Sequence, residues 1–401
     1  MDSLLDRSSQ CGALVTATLA PQLASILVSL LSSTIMSSST SIVHLEEIDL
    51  RLFDEGPEAR QALAERLEKA LTGHGFFQLV NHGLVTDHLA SIGSQVFEEP
   101  DEVKAGHIAG ENDLPEESYK HLGVVRGSGY KPRGYWTYIN DQKDRVEFFN
   151  LRHFAHPEFV KAASYPPSVE KNLPAIITYF NELHQNVLRK LLSLIDIILE
   201  LPDGTLYNNH FRVVENKIKE SATGYGRFLL YHEADDSYNM KTGSTLLRGH
   251  TDASALTFIL SDPVKALQIR LPDTDNTWGF VKHKQGALVV NVGDALQFWT
   301  GDYFRSSVHR VASPPKHQKR SSIIYFCTPT SATYLDPDSL NSPKLKRLGI
   351  YADKSLQRIT QGEWDIAKGA FFNNVSSNQT KGITILGRKS LGSLIGETVD
   401  T

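Results

Sequence analysis

The sequence predicts an α+β protein that is mainly β: an antiparallel sandwich or barrel with flanking helices. Three features predict it. Apolar residues recur at helical spacing up to about residue 201, the period becomes extended after Glu220, and eight short extended runs then follow closely, separated by turn residues. With 401 residues, 40% hydrophobic and 22% charged, the chain has the material for one large domain with additions and the composition of a folded globular protein.

The first 43 residues fall outside this plan. Ser8 to Val43 carry no charged side chain, and Gly12 to Leu31 are rich in Ala, Leu, Val, Ser and Thr. Pro21, Gln22 and frequent hydroxyls nevertheless keep the apolar runs well short of the roughly 20 residues a spanning helix needs. Asp2 and Asp6 outnumber Arg7, which argues against a secretory or organelle leader. A flexible extension is expected, with Met36 offering a second start of translation.

Glu58 to Thr72 place Ala59, Leu63, Leu67, Ala70 and Leu71 on one helical stripe that stops at Gly73. Gly75 to Gly83 then read as a short apolar strand closed by a turn, residues 86–106 as helical, and 110–150 as loop and short strands. Ser168 to Leu201 carry Ile176, Phe180, Leu183, Val187, Leu191, Ile195 and Ile198 on one face, the pattern of a long helix lying against a sheet. The eight extended runs are Tyr225–Tyr231, Leu256–Leu260, Leu267–Leu271, Trp278–Val281, Ala287–Val292, Ala295–Trp299, Ser307–Ala312 and Ser321–Cys327, and a last helix is expected over about 361–371. The chain divides accordingly into an extension (1–43), an N-terminal region (44–165), supporting helices (166–219), a β-rich core (220–330) and a C-terminal tail or lid (331–401).

Composition excludes several function classes. The 41 basic and 46 acidic side chains give a formal charge of -5, so no basic field exists to hold a phosphate backbone, and nucleic acid is not an expected partner. Two cysteines, Cys11 and Cys327, are too few for a disulfide framework or a thiolate zinc site, which points to the cytoplasm. No stable membrane span and no protein partner are inferred. Neither a His-Glu-x-x-His, a Gly-x-Ser-x-Gly nor a Walker loop occurs.

What remains is a set of possible metal ligands in the β-rich half: His250 and Asp252 in His-Thr-Asp, and His309 in Ser-Val-His-Arg-Val. Residues i and i+2 of an extended chain share a face, so the first two can reach one ion from a strand end, and His309 comes from a later strand. Two imidazoles and one carboxylate on one face of an octahedron leave three positions open, which suits non-haem Fe(II) and oxygen chemistry. A His-x-Asp triplet arises by chance about once in a chain with this many histidines, and His309 alone reads equally well as a core histidine. The company matters more: Arg320 and Ser322, again an i, i+2 pair, offer a guanidinium fork and a hydroxyl to an acidic co-substrate.

In this order on these strands, the residues resemble the isopenicillin N synthase-like family of Fe(II)/2-oxoglutarate-dependent dioxygenases. Gly75-Phe-Phe-Gln-Leu-Val-Asn-His-Gly83 resembles the family's amino-terminal signature, Asn291-Val-Gly-Asp294 its turn before the distal histidine, and Gly301-Asp-Tyr-Phe-Arg-Ser-Ser-Val-His-Arg-Val311 its distal-histidine strand. The resemblance runs from about 44 to 330. It implies a double-stranded β-helix (jelly-roll) core, Fe(II) held by His250, Asp252 and His309, and Arg320, Ser322 and Tyr231 on the distal carboxylate of 2-oxoglutarate. Two positions depart from the family pattern: Leu229 stands where asparagine is frequent, and His232 where proline is usual. His232 follows the inward-facing Tyr231, so it is expected to point away from the metal.

The implied reaction consumes O2 and 2-oxoglutarate, with ascorbate as an accessory reductant, and oxidises a C–H bond of a small, partly apolar metabolite, most often by hydroxylation and in secondary metabolism. Desaturation and ring closure are variants, and relatives that dispense with 2-oxoglutarate, or bind without catalysis, share the fold. Pocket walls would draw on Tyr130, Tyr135, Trp136, Phe228, Trp299 and Phe326, each of which packs as readily into the core, while Lys131 and Arg133 offer charge to an acid.

Overall fold

The extended runs form two sheets packed face to face. The computed structural model describes residues 41–108, 128–136, 139–215, 217–272, 277–314, 317–374 and 384–389. Nearly all of the expected extension therefore lies outside the described residues, with Cys11 and Met36. Ile42–Thr401 make up one unit, and of the other, Met1–Ser41, Ser41 alone is described. No helix among the described residues is long and apolar enough to cross a membrane.

The strands are β1 (Ser41–Val43), β2 (Glu46–Asp49), β3 (Phe76–Val80), β4 (Gly129–Lys131), β5 (Val146–Arg152), β6 (Tyr225–Tyr231), β7 (Thr245–His250), β8 (Leu256–Ser261), β9 (Leu267–Arg270), β10 (Trp278–Val281), β11 (Leu288–Val292), β12 (His309–Ala312) and β13 (Arg320–Cys327), with a terminal hairpin of β14 (Thr384–Ile385) and β15 (Arg388–Lys389). The large sheet has the order β2-β3-β11-β8-β13-β6-β5-β4 and the small one β1-β10-β9-β12-β7. Non-sequential neighbours in both sheets make this a jelly-roll. Between the sheets Val146, Phe148, Leu229 and Tyr231 of the large one meet Leu246 and Val311 of the small one.

The other face of the large sheet is covered by helices: α1 (Pro57–Thr72), α2 (Asp87–Glu98), α3 (Pro167–Glu182) and α4 (Arg189–Leu199). A π-helical turn, Leu183–Leu188, joins α3 to α4, so the predicted long helix is one element. Its stripe from Ile176 to Ile198 is buried throughout. Phe180 lies so close to β6 that a Cβ on Gly226 would come within 2.3 Å of its ring, and glycine is what admits the ring there.

Two expectations are corrected. Ala295–Trp299 is not extended but forms α5 (Asp294–Trp299), because Gly293 and Asp294 initiate a helical turn and a short apolar run carries no period of its own. Strand β7 is not among the eight expected runs, although His250, expected at a strand end, is its last residue. The last helix, α6, spans Gln361–Asn374.

Candidate metal centre and co-substrate pocket

His250 ends β7, His309 begins β12, and the antiparallel ladder sets them directly opposite each other. Their ring centroids are 4.3 Å apart. Asp252 follows just past the strand end, 3.7 Å from His250 Nε2 through Oδ1 and 3.8 Å from His309 Nε2 through Oδ2. One donor atom from each side chain lies within 4.8 Å of the others, and among the described residues no other group of three His, Cys, Asp or Glu converges in this way.

Hydrogen bonds aim the donors. His250 Nδ1 donates to Arg248 O at 2.9 Å and His309 Nδ1 to Ser307 O at 3.3 Å. A carbonyl only accepts, so each ring keeps its Nε2 lone pair for the shared space. Asp252 Oδ2 accepts from Asn291 Nδ2 and Thr257 Oγ1, both at 2.8 Å. These two donors pair across β11 and β8, and they fix the carboxylate plane while leaving Oδ1 to the cluster. Phe76 meets the His309 ring edge-on, with centroids 5.4 Å apart.

Charge follows from the same contacts. Burial opposes ionisation of Asp252, but the two imidazoles and the two donors outweigh it and hold the carboxyl down at about 2. Burial, followed by the nearby His309, pushes His250 down to about 3. At neutral pH the cluster therefore offers a carboxylate and a neutral His250 imidazole, the protonation state a divalent cation requires.

The loop bearing Asp252 is clamped from two sides. Gly293 N donates to Ala255 O at 2.9 Å and Asp294 N to Asp252 O at 2.8 Å. A Cβ on Gly293 would lie 2.0 Å from Ser254 O, so the turn approaches this closely only as glycine. From α6, buried Lys368 ion-pairs with Asp294 and donates to Thr251 O at 2.7 Å and Thr251 Oγ1 at 3.0 Å, between His250 and Asp252 in sequence. Thr257 and Lys368 are not among the site residues that the sequence suggests. Thr257 lies in a predicted strand and is findable by its alternation, whereas nothing local marks Lys368.

On the large sheet, β13 places Arg320 opposite Tyr231 and Ser322 opposite Leu229. The Arg320 guanidinium is 5.4 Å from the Tyr231 ring centroid. Both Arg320 and Ser322 are 3% exposed, and Arg320 Nε and Ser322 Oγ have no hydrogen-bond partner among the described residues. Orphaned buried donors of this kind are costly and rare. A guest carboxylate would satisfy both.

Leu229 joins the apolar cluster between the sheets, with no polar role. His232 turns away from the cluster, as expected: its backbone N donates to Arg145 O at 2.9 Å, which proline could not do, and its Nε2 meets Glu147 Oε1 at 2.7 Å. Of the candidate pocket aromatics, Phe228 and Tyr130 pack in the helix-side core, Trp299 is fully buried against Phe211, and Tyr135 is exposed. Phe326 and Trp136 remain beside the space between the sheets. Lys131 is buried in an ion pair with Asp144, and Arg133 is exposed.

Comparison with known proteins agrees with this architecture. Residues 222–329 match the model of the 2OG-Fe(II) oxygenase superfamily, and residues 45–170 match that of the non-haem dioxygenase in morphine synthesis N-terminal region. A 2-oxoglutarate-dependent dioxygenase of Didymella fabae is 29% identical over 301 residues, covering 72% of this chain and 87% of the relative. A leucoanthocyanidin dioxygenase of Perilla frutescens is 29% identical over 295 residues, covering 72% and 71%. The fold is shared with the crystal structure of a full-length Neurospora crassa protein in complex with alpha-KG, at TM-score 0.63 and 21% identity, over 84% of this chain and 98% of that one. The chain thus belongs to the 2OG-Fe(II) oxygenase superfamily, as a non-haem dioxygenase that uses Fe(II), 2-oxoglutarate and O2.

Proposed function

We propose that His250, Asp252 and His309 are the iron ligands of this dioxygenase, that Arg320, Ser322 and Tyr231 hold the distal carboxylate of 2-oxoglutarate, and that the substrate is a small, partly apolar metabolite hydroxylated at a C–H bond. One observation carries the reading: three donor atoms converge on one shared space, and the orphaned donors of Arg320 and Ser322 stand together on the inner face of the large sheet. Two imidazoles and one carboxylate fit Fe(II) with positions left open.

Fe(II) held by His250, Asp252 and His309, with 2-oxoglutarate held by Arg320, Ser322 and Tyr231, would supply the oxidising power. The protein's own residues do the rest. Asn291 and Thr257 hold the Asp252 carboxylate in one plane, the Arg248 and Ser307 carbonyls fix the imidazole tautomers, and Arg320 neutralises the acid that the pocket admits. Among the described residues, those of 44–165 and 331–401 would supply walls to the 220–330 core. The fungal relative supports a place in secondary metabolism, and scarce cysteine supports the cytoplasm.

The test is anaerobic addition of Fe(II) and then 2-oxoglutarate, read by the visible charge-transfer absorption of the chelate. The native protein is expected to develop the band, Asp252→Ala to lose it, and Arg320→Ala to need at least about tenfold more 2-oxoglutarate. No band in the native protein would overturn the site assignment, and O2 uptake without stoichiometric succinate would favour an oxidase that dispenses with 2-oxoglutarate.

A further inference from the structure

Two more arginines stand on the inner face of the large sheet. Side chains alternate along a strand, so Arg227 and Tyr225 share the face of Tyr231, and the register puts Asn150 and Arg152 of β5 and Ile324 and Phe326 of β13 beside them. Residues of the opposite face, Phe228, Ile323 and Tyr325, lie in the helix-side core. Arg227 thus stands on the same inner face as Tyr231, Arg320 and Ser322, and the Asp252 carboxylate favours its charged form.

Arg227 is surrounded by rings: its Cζ lies 3.9 Å from the centroid of Phe148, 5.1 Å from Phe326 and 5.5 Å from Tyr225. Tyr225 and Phe326 stack on each other at 4.7 Å. The Arg152 Cζ is 3.8 Å from the same Tyr225 ring. Neither arginine pairs with a carboxylate among the described residues. Arg227 Nε donates to the neutral Asn150 Oδ1 at 2.7 Å, and Arg152 Nε is buried without a partner. Lys131, one strand away, is by contrast fully engaged with Asp144 and Val146 O. Burial lowers the pKa of Arg227, although the residue as a whole is only partly buried.

Cations withdrawn from water without an anion are costly, and at a cavity wall they form the receiving half of a charge-assisted bond. Asn150 occupies Nε of Arg227 and leaves the two terminal amino groups, a fork that matches the two oxygens of a carboxylate. The adjoining rings suit a flat body. Asp365 of α6 lies within electrostatic reach of Arg152, and burial raises its carboxyl to about 7. A dianion such as a phosphate would meet that carboxyl and a larger desolvation cost, so a single negative charge fits better.

We propose that the substrate is a monocarboxylic acid with a flat aromatic or conjugated body, its carboxylate gripped by Arg227 and Arg152 and its body set against Phe148, Tyr225 and Phe326. The proposal rests on the assignment of Arg320 to 2-oxoglutarate, which leaves this second cationic pair to the substrate. The test uses the anaerobic Fe(II)- and 2-oxoglutarate-loaded protein and a panel of probes: benzoate, cinnamate and 2-naphthoate, each beside its carboxamide. Binding is read as a shift of the charge-transfer band and as tryptophan quenching. At least one acid is expected to bind about ten times or more tighter than its amide, and Arg227→Gln to erase most of that preference with the 2-oxoglutarate band intact. Acids and amides binding alike, or no acid binding while the band is present, would overturn the proposal. So would loss of the band itself in Arg227→Gln, which would make Arg227 a co-substrate residue. Absence of the band in the native protein would instead defeat the site assignment on which the proposal stands. The acid–amide comparison on native protein needs no variant to fold.

Discussion

Lys368 gives the strictest test of how the C-terminal helix supports the metal centre. Its ammonium is buried against Asp294 and donates to both oxygens of Thr251, so α6, the turn after β11 and the His250–Asp252 loop meet at one cation. Lys368→Met keeps most of the volume and removes the charge, leaving the Asp294 carboxylate with Ser306 Oγ at 3.1 Å as its side-chain donor. Breaking one partner of a buried pair costs about 3–5 kcal/mol. With an unfolding entropy of about 2.1 cal/mol/K per residue over roughly 360 residues, that corresponds to a fall in Tm of about 4–7 °C. Adding Asp294→Asn should recover much of the loss, because the uncompensated charge is then gone. Slackening of the loop should also weaken Fe(II) binding by about 10- to 100-fold, the usual effect of losing a support outside the ligands. The assays are thermal melts of the metal-free single and double variants and Fe(II) titration under anaerobic conditions. A Tm change below about 1 °C together with unchanged Fe(II) affinity would refute the reasoning.

Three further outcomes follow from the same structure. Thr257→Val removes one of the two donors to Asp252 Oδ2 at nearly constant volume and should weaken Fe(II) binding by about tenfold or more with little effect on folding; an unchanged titration would show that Asn291 suffices. Gly293→Ala would press a methyl onto Ser254 O, so both Tm and Fe(II) affinity should fall, and a variant that matches the native protein in both would contradict the clamp. Burial holds His153 at about 3, His184 at about 4 and His250 at about 3, whereas an unfolded histidine titrates near 6.5. The unfolded chain therefore binds protons that the fold refuses, so this stability is fully present above about pH 6.5. It declines on acidification by up to about 1.4 kcal/mol per pH unit for each histidine until the folded pKa is reached. The metal-free protein should melt lower at about pH 5 than at about pH 7, and His184→Gln should flatten the slope; equal melting temperatures at the two pH values would refute it.

Much of the site is legible from local pattern because its residues sit on strands. Alternation alone sets Arg320 with Ser322 and brings Tyr231 to the same side, and the register then aligns the two strands. The same rule also marks Arg227, four residues before Tyr231, whereas Lys131 and Arg133 are the cations that local pattern offers to an acid. Lys131 proves to be engaged by Asp144, a partner 13 residues away that an unaligned sequence does not reveal. The run Ala295–Trp299 misleads because five apolar-rich residues are as compatible with a helix as with a strand. The aromatics divide between pocket and core by strand parity: Phe326 stands on the inner face, whereas Phe228 stands on the outer one.

Sequence by itself determined the helical first half and β-rich second half, the residues able to bind a metal and the family they resemble, since each depends on spacing along the chain and on side-chain chemistry. Tertiary structure alone decided that His309 stands opposite His250, that Lys368 reaches Thr251 from more than a hundred residues away, and that Arg152 and Arg227 share one aromatic wall with no ion pair among the described residues. Those arrangements depend on which strands pair and what each sheet face buries, and that balance of burial and register is struck by the whole fold rather than by any one segment.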